Sequence, residues 1–287
     1  MNSFEPQRID FPVSDKIVIR ADARGDPTRP AVLLAHGGGQ TRHAWADTAS
    51  ALAQAGWYAV SIDLRGHGES DWAPDGDYML AAFANDLRKV AAALPNRPAV
   101  VGASLGGMAA MIAEGETEGG IFSAVVLVDI TPRIQMQGVE RILAFMTAHL
   151  DNGFASIEEA GKAVAAYMRH RSAPDNLDGL RKNLRLGADG RFRWHWDPAF
   201  LRRDRTSSET EIQRLHAAAR RIKAPCLLLR GGSSDLVSEE DARDFLRMVP
   251  HAEYQDVSGA GHMVVGDKND IFVTAILEFL AKRRGTA

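Results

Sequence analysis

Cysteine is almost absent from this chain: among its 287 residues there is one, Cys226, so no disulfide can form within it. Cys226 lies in an apolar run, and we expect it to be a small buried hydrophobe. The sequence also lacks a cysteine and histidine cluster with metal-ligand spacing, a Walker loop and a G-x-G-x-x-G loop. We therefore expect no metal and no bound cofactor.

Long apolar runs and a strong charge of either sign are absent too. No apolar stretch is long enough to span a bilayer, and residues 1–6 lack the basic and apolar regions of a signal peptide. The formal net charge of −3 gives no reason to expect nucleic acid as a partner. We expect a cytoplasmic protein that contacts neither membranes nor nucleic acid.

What the chain does have is a regular alternation of strand and helix patterns. Hydrophobic residues make up 45% of it and charged residues 25%, which is enough for a large core. An antiparallel pair at 9–13 and 17–21 opens the chain. Further strands are predicted at 31–35, 57–62, 98–102, 123–128, 224–230 and 252–257, with helices at about 44–55, 78–93, 105–114, 238–248 and 267–283. This rhythm predicts an α/β protein with a doubly wound, mostly parallel sheet of eight strands.

The rhythm breaks between residues 131 and 221, where helical patterns dominate and no strand signal is found. We interpret 131–221 as a helical cap, or lid, inserted into a core formed by 1–130 and 222–287. Residues 133–221 contain 16 Lys and Arg against 11 Asp and Glu. Solvated arginines on helix faces explain this excess, and a preference for an anionic substrate is the alternative.

A serine between two glycines follows the apolar run at 98–101. Gly102 and Gly106 flank Ser104 with the G-x-S-x-G spacing of a nucleophile elbow, a strained turn from strand to helix. Side chains at the glycine positions would collide with neighbouring atoms. The turn exposes the hydroxyl of Ser104 above the sheet edge and directs the backbone N–H of Leu105 toward a developing oxyanion.

A serine hydroxyl needs a general base and a group that orients that base. Asp235 follows the apolar run 225–229, and His262 follows the strand pattern at 253–257 after two glycines. The predicted triad is therefore Ser104, Asp235 and His262, in the chain order Ser, Asp, His. Asp129 also follows a strand and is the rival acid. Asp235 could alternatively cap the helix predicted at 238–248.

A glycine triplet follows the strand at 31–35. In this glycine loop, residues 36–40, the missing side chains allow the backbone to approach a developing oxyanion closely. Gly38 is the predicted second oxyanion donor, together with Leu105. A flexible turn is the alternative, but the loop lies one strand-helix-strand unit before the elbow, where the elbow requires a partner.

Together these features resemble the serine hydrolases of the α/β-hydrolase superfamily, over nearly the whole chain. Trp45 after the glycine loop and the segment 63–70, similar to D-x-R-G-x-G-x-S, resemble its esterase, lactonase and carbon–carbon hydrolase branch. The resemblance implies the α/β-hydrolase fold and makes His67 structural rather than the base. Epoxide hydrolases and haloalkane dehalogenases of similar outline have an aspartate where this chain has Ser104, so their chemistry is disfavoured.

The pocket is less clearly marked than the triad. Indoles are concentrated at 192–198, and they either line an apolar pocket or pack against the core. The candidate substrate-binding residues are Gly39, Asp129, Trp194, Trp196 and Met263.

The expected substrate is a small to medium carboxylic ester or lactone, cleaved through an acyl-serine with water as the second reactant. The same residues could serve carbon–carbon hydrolysis, perhydrolysis or hydroxynitrile lysis. A non-enzymatic ligand-binding protein with this fold is the alternative from another class. We expect a monomer or homodimer.

Overall fold

A single eight-stranded sheet forms the centre of the molecule in the computed structural model, which describes residues 5–167, 178–202, 208–257 and 270–283. The strand order is β1-β2-β4-β3-β5-β6-β9-β10. The two opening strands are antiparallel, β2 is antiparallel to β4, and the strands from β4 to β10 are parallel to their neighbours. These strands are β1 Gln7–Ser14, β2 Ile17–Arg24, β3 Ala31–Ala35, β4 Tyr58–Ile62, β5 Ala99–Ala103, β6 Val125–Val128, β9 Cys226–Gly231 and β10 Glu253–Val257.

The central strands are buried on both faces, because helices cover the sheet from both sides. Every residue of β3, β4, β5, β6 and β9 is buried, as expected for parallel strands built from continuous apolar runs. Cys226 is among them, and burial raises the pKa of its thiol to about 12. The predicted doubly wound, mostly parallel sheet of eight strands is confirmed.

The two helical layers pack on opposite faces of the sheet. One apolar cluster includes residues of α2 (Leu80–Ala93), α3 (Leu105–Gly115) and α9 (Glu239–Met248). The other includes residues of α1 (Ala46–Gln54) and α10 (Asp270–Ala281). Successive strand residues point to opposite faces, so Leu33 belongs to the first cluster and Leu34 to the second.

The insertion between β6 and β9 contains more than helices. Its elements, within the residues that the structure describes, are α4 Met136–Thr147, α5 Ile157–Tyr167, α6 Asp178–Arg181, β7 Leu184–Leu186, β8 Phe192–Trp194, α7 Pro198–Arg202 and α8 Ser208–Ala219. The prediction of an insertion without strands was wrong, since β7 and β8 form an antiparallel hairpin. Each strand has three residues, too few for alternation to stand out. The turn sequence Gly187 to Gly190, with a left-handed φ of +76° at Gly190, was the available signal.

The last helix of the insertion returns to the core. A β-carbon at Gly115 of α3 would collide with the backbone of Ala218 in α8, so these two helices are in close contact. Arg214 of α8 pairs with Glu116 at 2.5 Å. Helix α8 is therefore part of the layer that covers the sheet, whereas the division at residues 131 and 221 stays a prediction.

Candidate active site

The carboxyl ends of the parallel strands bring the predicted polar residues to one edge of the sheet. The glycine loop follows β3, Ser104 follows β5, and Asp129 follows β6. Asp235 lies in the loop after β9, and β10 ends at Val257 at the same edge. The predicted base, His262, and the candidate pocket residue Met263 lie outside the described residues.

Ser104 occupies a strained turn between β5 and α3. Its φ of +45° and ψ of −112° are rare for a residue with a β-carbon, and such strain is typical of functional sites. A β-carbon at Gly102 would lie 2.7 Å from the Gly106 carbonyl oxygen, and one at Gly106 would collide with the backbone of Ala35 and His36. The glycines therefore let α3 begin tightly against β3 and β5. Ser104 itself remains partly exposed between buried neighbours.

Two backbone amides lie next to Ser104, the predicted nucleophile. Leu105 is the first residue of α3, where N–H groups have no acceptor within the helix and the helix dipole favours negative charge. The following amide, of Gly106, donates to the His36 carbonyl at 3.2 Å. On the other side, a β-carbon at Gly37 would lie 3.3 Å from the β-carbon of Ser104. The glycine loop and the elbow are thus in direct contact.

The glycine loop is a tight turn in which the Gly37 carbonyl is held in place. The Gln40 N–H donates to the Gly37 carbonyl at 3.1 Å, and Gly39, with a φ of +77°, supplies the left-handed residue of the turn. Gln40 Oε1 accepts from the Gly37 N–H at 3.0 Å. The Gly38 N–H belongs to the same planar peptide as the Gly37 carbonyl, so a fixed carbonyl also fixes the direction of this N–H.

His36 holds the glycine loop in place, a role that the sequence analysis did not assign to it. Its Nε2 accepts from the Leu64 N–H at 3.0 Å, so its Nδ1 carries the proton and donates to the Gly37 carbonyl at 2.8 Å. Burial lowers the pKa of His36 to about 4 and keeps the ring neutral in this role. The available signal was its position between a buried strand and the glycine triplet.

The two candidate acids have different surroundings. Asp129 is completely buried, has a left-handed φ of +49°, and accepts from the Gly231 N–H at 3.0 Å and the Ser234 hydroxyl at 2.7 Å. The carboxylate of Asp235 is 32% exposed and lies 2.5 Å from the guanidinium of Arg141 in α4. Asp235 does not cap α9, because Ser238 is the N-cap and forms a capping box with Asp241.

The insertion lies directly over the glycine loop. A β-carbon at Gly38 would lie 3.5 Å from the ring of Phe200, and one at Gly39 would lie 3.0 Å from Met146 and 3.4 Å from Trp196. Trp196 stacks on Trp194 with ring centroids 5.1 Å apart. Trp194 in turn contacts the rings of Phe145 and Phe154. Trp196 therefore borders the site, whereas Trp194 belongs to the apolar interior of the insertion.

The segment 63–70 supports the glycine loop and the insertion. Arg65 forms a buried bidentate ion pair with Asp86 of α2, at 2.6 and 2.7 Å. The buried ring of His67 lies edge-on to Phe200, and its Nδ1 is 3.0 Å from the Arg65 carbonyl. Burial is the main cause that lowers the pKa of His67 to about 3, which agrees with the structural role expected for it.

The described ranges hold neither a metal-binding cluster nor a membrane-spanning helix. Among those residues, no three His, Cys, Asp or Glu side chains lie together in a group that could hold a metal ion. No helix within the same ranges combines the length and apolarity needed to cross a membrane.

Comparison with known proteins connects this geometry to a family. The model of the alpha/beta hydrolase family matches residues 32–275. An esterase of Mycobacterium tuberculosis, Rv0045c, is 31% identical over 247 residues, which are 83% of this chain and 78% of that protein. The sn-1-specific diacylglycerol lipase ABHD11 of Mus musculus is 29% identical over 262 residues, 90% of this chain and 83% of its own length.

A solved structure gives the same result for the fold. The crystal structure of E-2-(acetamidomethylene)succinate hydrolase superposes with a TM-score of 0.80 and 25% identity, covering 96% of this chain and 100% of that one. All three proteins are named as hydrolytic enzymes, but their names give different substrates. The chain belongs to the alpha/beta hydrolase family and has the hydrolase role that its relatives support.

Proposed function

We propose that the protein is a serine hydrolase that cleaves a small to medium carboxylic ester or lactone through an acyl-serine intermediate. The observation that carries this proposal is the contact between Ser104, in its strained turn, and a glycine loop in which two hydrogen bonds hold the Gly37 carbonyl. The relatives named esterase and lipase support ester chemistry.

The proposed reaction has two steps. Ser104 Oγ attacks the ester carbonyl carbon while His262 accepts its proton, and the N–H groups of Gly38 and Leu105 donate to the oxyanion that forms. His262 then protonates the leaving alkoxide, which departs as the alcohol. Water, deprotonated by His262, attacks the acyl-serine, and the acid leaves as Ser104 regains its proton. With a lactone, the alcohol remains attached to the acyl chain.

The side chains around the glycine loop support a small substrate. Phe200, Met146 and Trp196 are already within about van der Waals distance of the positions next to Gly38 and Gly39. A group bound beside this loop therefore has little room, which favours a short acyl chain.

One of two carboxylates is proposed to orient His262. Asp235 has the position predicted from chain order, but the Arg141 guanidinium already neutralises part of its charge. Asp129 is completely buried and accepts from the Gly231 N–H and from the Ser234 hydroxyl. These contacts favour Asp129, because a buried acid stabilises an imidazolium more strongly than a partly exposed and paired one.

Hydrolysis of p-nitrophenyl acetate, butyrate and octanoate by the wild type and by Ser104→Ala tests the proposal. We expect turnover that declines with acyl length and a loss of at least about 10³-fold in Ser104→Ala, because the nucleophile is removed. Ser123→Ala, in the loop before β6, is the matched control and should keep wild-type activity. Mass spectrometry should find an acyl group on the peptide containing Ser104. Activity that survives in Ser104→Ala would refute the mechanism.

A further inference from the structure

His195 connects the insertion to the glycine loop. It lies in the cap segment, residues 194–200, between β8 and α7, and is only 2% exposed. Its Nδ1 accepts from the Gly68 N–H at 2.7 Å, so the ring proton is on Nε2. That Nε2–H donates to the Gly39 carbonyl at 3.3 Å. One imidazole thus joins two core loops to the insertion.

The glycine loop is therefore held from two sides. The core holds the Gly37 carbonyl through His36 and Gln40, and the cap segment holds the Gly39 carbonyl through His195. Between these two carbonyls lies Gly38, whose N–H is the proposed oxyanion donor. The Gly39 carbonyl shares its peptide plane with the Gln40 N–H, which donates to the Gly37 carbonyl at 3.1 Å. Rotation of that plane would weaken this hydrogen bond, and the Gly37 carbonyl would then hold the direction of the Gly38 N–H less firmly.

Neighbouring contacts fix His195 in this position. Its own N–H donates to the Asn183 carbonyl at 3.1 Å, and the Asn183 side chain accepts from the Thr41 hydroxyl at 3.2 Å. Its ring packs edge-on against Trp196, with centroids 5.3 Å apart. Burial lowers the pKa of His195 well below its usual value, so Nδ1 stays an acceptor. The insertion thus contacts both Gly39 and Thr41.

We propose that His195 is a positioning residue for the oxyanion hole: by holding the Gly39 carbonyl, it makes the direction of the Gly38 N–H depend on docking of the cap segment. This inference rests on the proposed function. If it is correct, the insertion affects the rate of the chemical step as well as the choice of substrate. A direct contact of His195 with the substrate is not required.

Two substitutions test the two hydrogen bonds of the His195 ring, to Gly68 and to Gly39, one at a time. In His195→Asn the amide oxygen replaces Nδ1 and accepts from Gly68, but no atom reaches Gly39. In His195→Gln the longer side chain brings an N–H to the place of Nε2, where it can donate to the Gly39 carbonyl. We expect kcat for p-nitrophenyl acetate to fall about 10- to 100-fold in His195→Asn, with KM nearly unchanged, and to recover at least in part in His195→Gln.

The affinity for an inhibitor is a second measurement of the oxyanion hole. A simple loss of packing would not change the inhibitor's Kd and kcat by the same factor. An aryl trifluoromethyl ketone accepts Ser104 Oγ at its carbonyl carbon, the Ser104 proton passes to His262, and the carbonyl electron pair becomes an oxyanion. Its Kd in His195→Asn should rise by the same factor as kcat falls. Thr41→Val, which removes the hydrogen bond from the Thr41 hydroxyl to the Asn183 side chain, should lower kcat by a few-fold.

The controls decide what each outcome means. His149→Asn changes a cap histidine that packs on Phe154 and should leave kcat unchanged. All variants are assayed below their own melting temperatures. Equal kcat in His195→Asn and wild type, or an equal loss in the Asn and Gln variants with unchanged inhibitor affinity, would overturn the inference. Activity retained in Ser104→Ala, measured alongside, would instead overturn the proposed function.

Discussion

The sheet edge and the insertion differ in how they hold polar groups. At the sheet edge, parallel strands place Ser104, Asp129 and the glycine loop by backbone geometry, and positive φ angles occur at Gly39, Ser104 and Asp129. In the insertion, stacked rings and single long-range hydrogen bonds hold the structure, as at Trp194, Trp196 and His195. The backbone of the sheet therefore positions the proposed reacting groups, whereas side chains of the insertion limit the space around the glycine loop.

The largest expected change in kcat compares the two candidate acids. Asp129 is buried at the sheet edge, whereas Asp235 is paired with Arg141 of the insertion. We expect Asp129→Asn to lower kcat by about 10³- to 10⁴-fold, since His262 would lose its orienting charge. Asp235→Asn should cost less than about 10-fold, because it removes an ion pair with Arg141 at the surface. Ester kinetics of both variants check this.

Thermal melts of the two acid variants serve as the control, since Asp129 also supports the turn after β9. A severe kinetic loss in Asp235→Asn with a mild one in Asp129→Asn would contradict this ranking and restore the assignment from chain order.

A smaller effect tests the backbone of the elbow. In Gly102→Ala the new β-carbon would lie 2.7 Å from three atoms of the glycines that begin α3. The turn must distort, and we expect the free energy of unfolding to fall by about 3 kcal/mol together with a loss of ester hydrolysis. Denaturant titration and turnover measure the two effects.

Gly179→Ala is the matched control, because a β-carbon there meets no atom within 4 Å. It lies in α6 of the insertion, where alanine changes stability by at most about 1 kcal/mol. Wild-type stability and activity in Gly102→Ala would mean that the elbow does not need its glycine.

The smallest expected effect is a change in acyl-chain preference on substitution of a tryptophan in the insertion. Trp196→Ala removes a ring beside Gly39 and should raise the ratio of kcat/KM for octanoate over acetate about 10-fold, because the longer chain gains apolar contacts. Trp194→Ala, one ring farther from the loop, should lower the melting temperature without changing the ratio. Equal ratios in the two variants would show that Trp196 does not border the acyl site.

Much of the sheet and its edge could be predicted because the signals are local. The strand at 31–35 and the helix beginning at Leu105 coincide with the structure, since apolar runs and glycines mark them directly. The partner of Asp235 could not be predicted, because Arg141 comes from a helix nearly a hundred residues earlier. His195 gave no signal either: its two partners, Gly68 and Gly39, are 127 and 156 residues away. His262, the predicted base, stays a prediction.

The insertion leaves the sheet after β6 and the chain re-enters at β9, and these two strands are hydrogen-bonded neighbours. Its ends are therefore close together, an arrangement that permits one insertion to be exchanged for another by engineering. Such a chimera would keep the elbow and the glycine loop intact. It would keep the hydrogen bond to the Gly39 carbonyl only if the grafted insertion carried an N–H or O–H group at the position of the His195 side chain. An insertion grafted to accept a new substrate would therefore change the geometry of the glycine loop as well as the shape of the pocket.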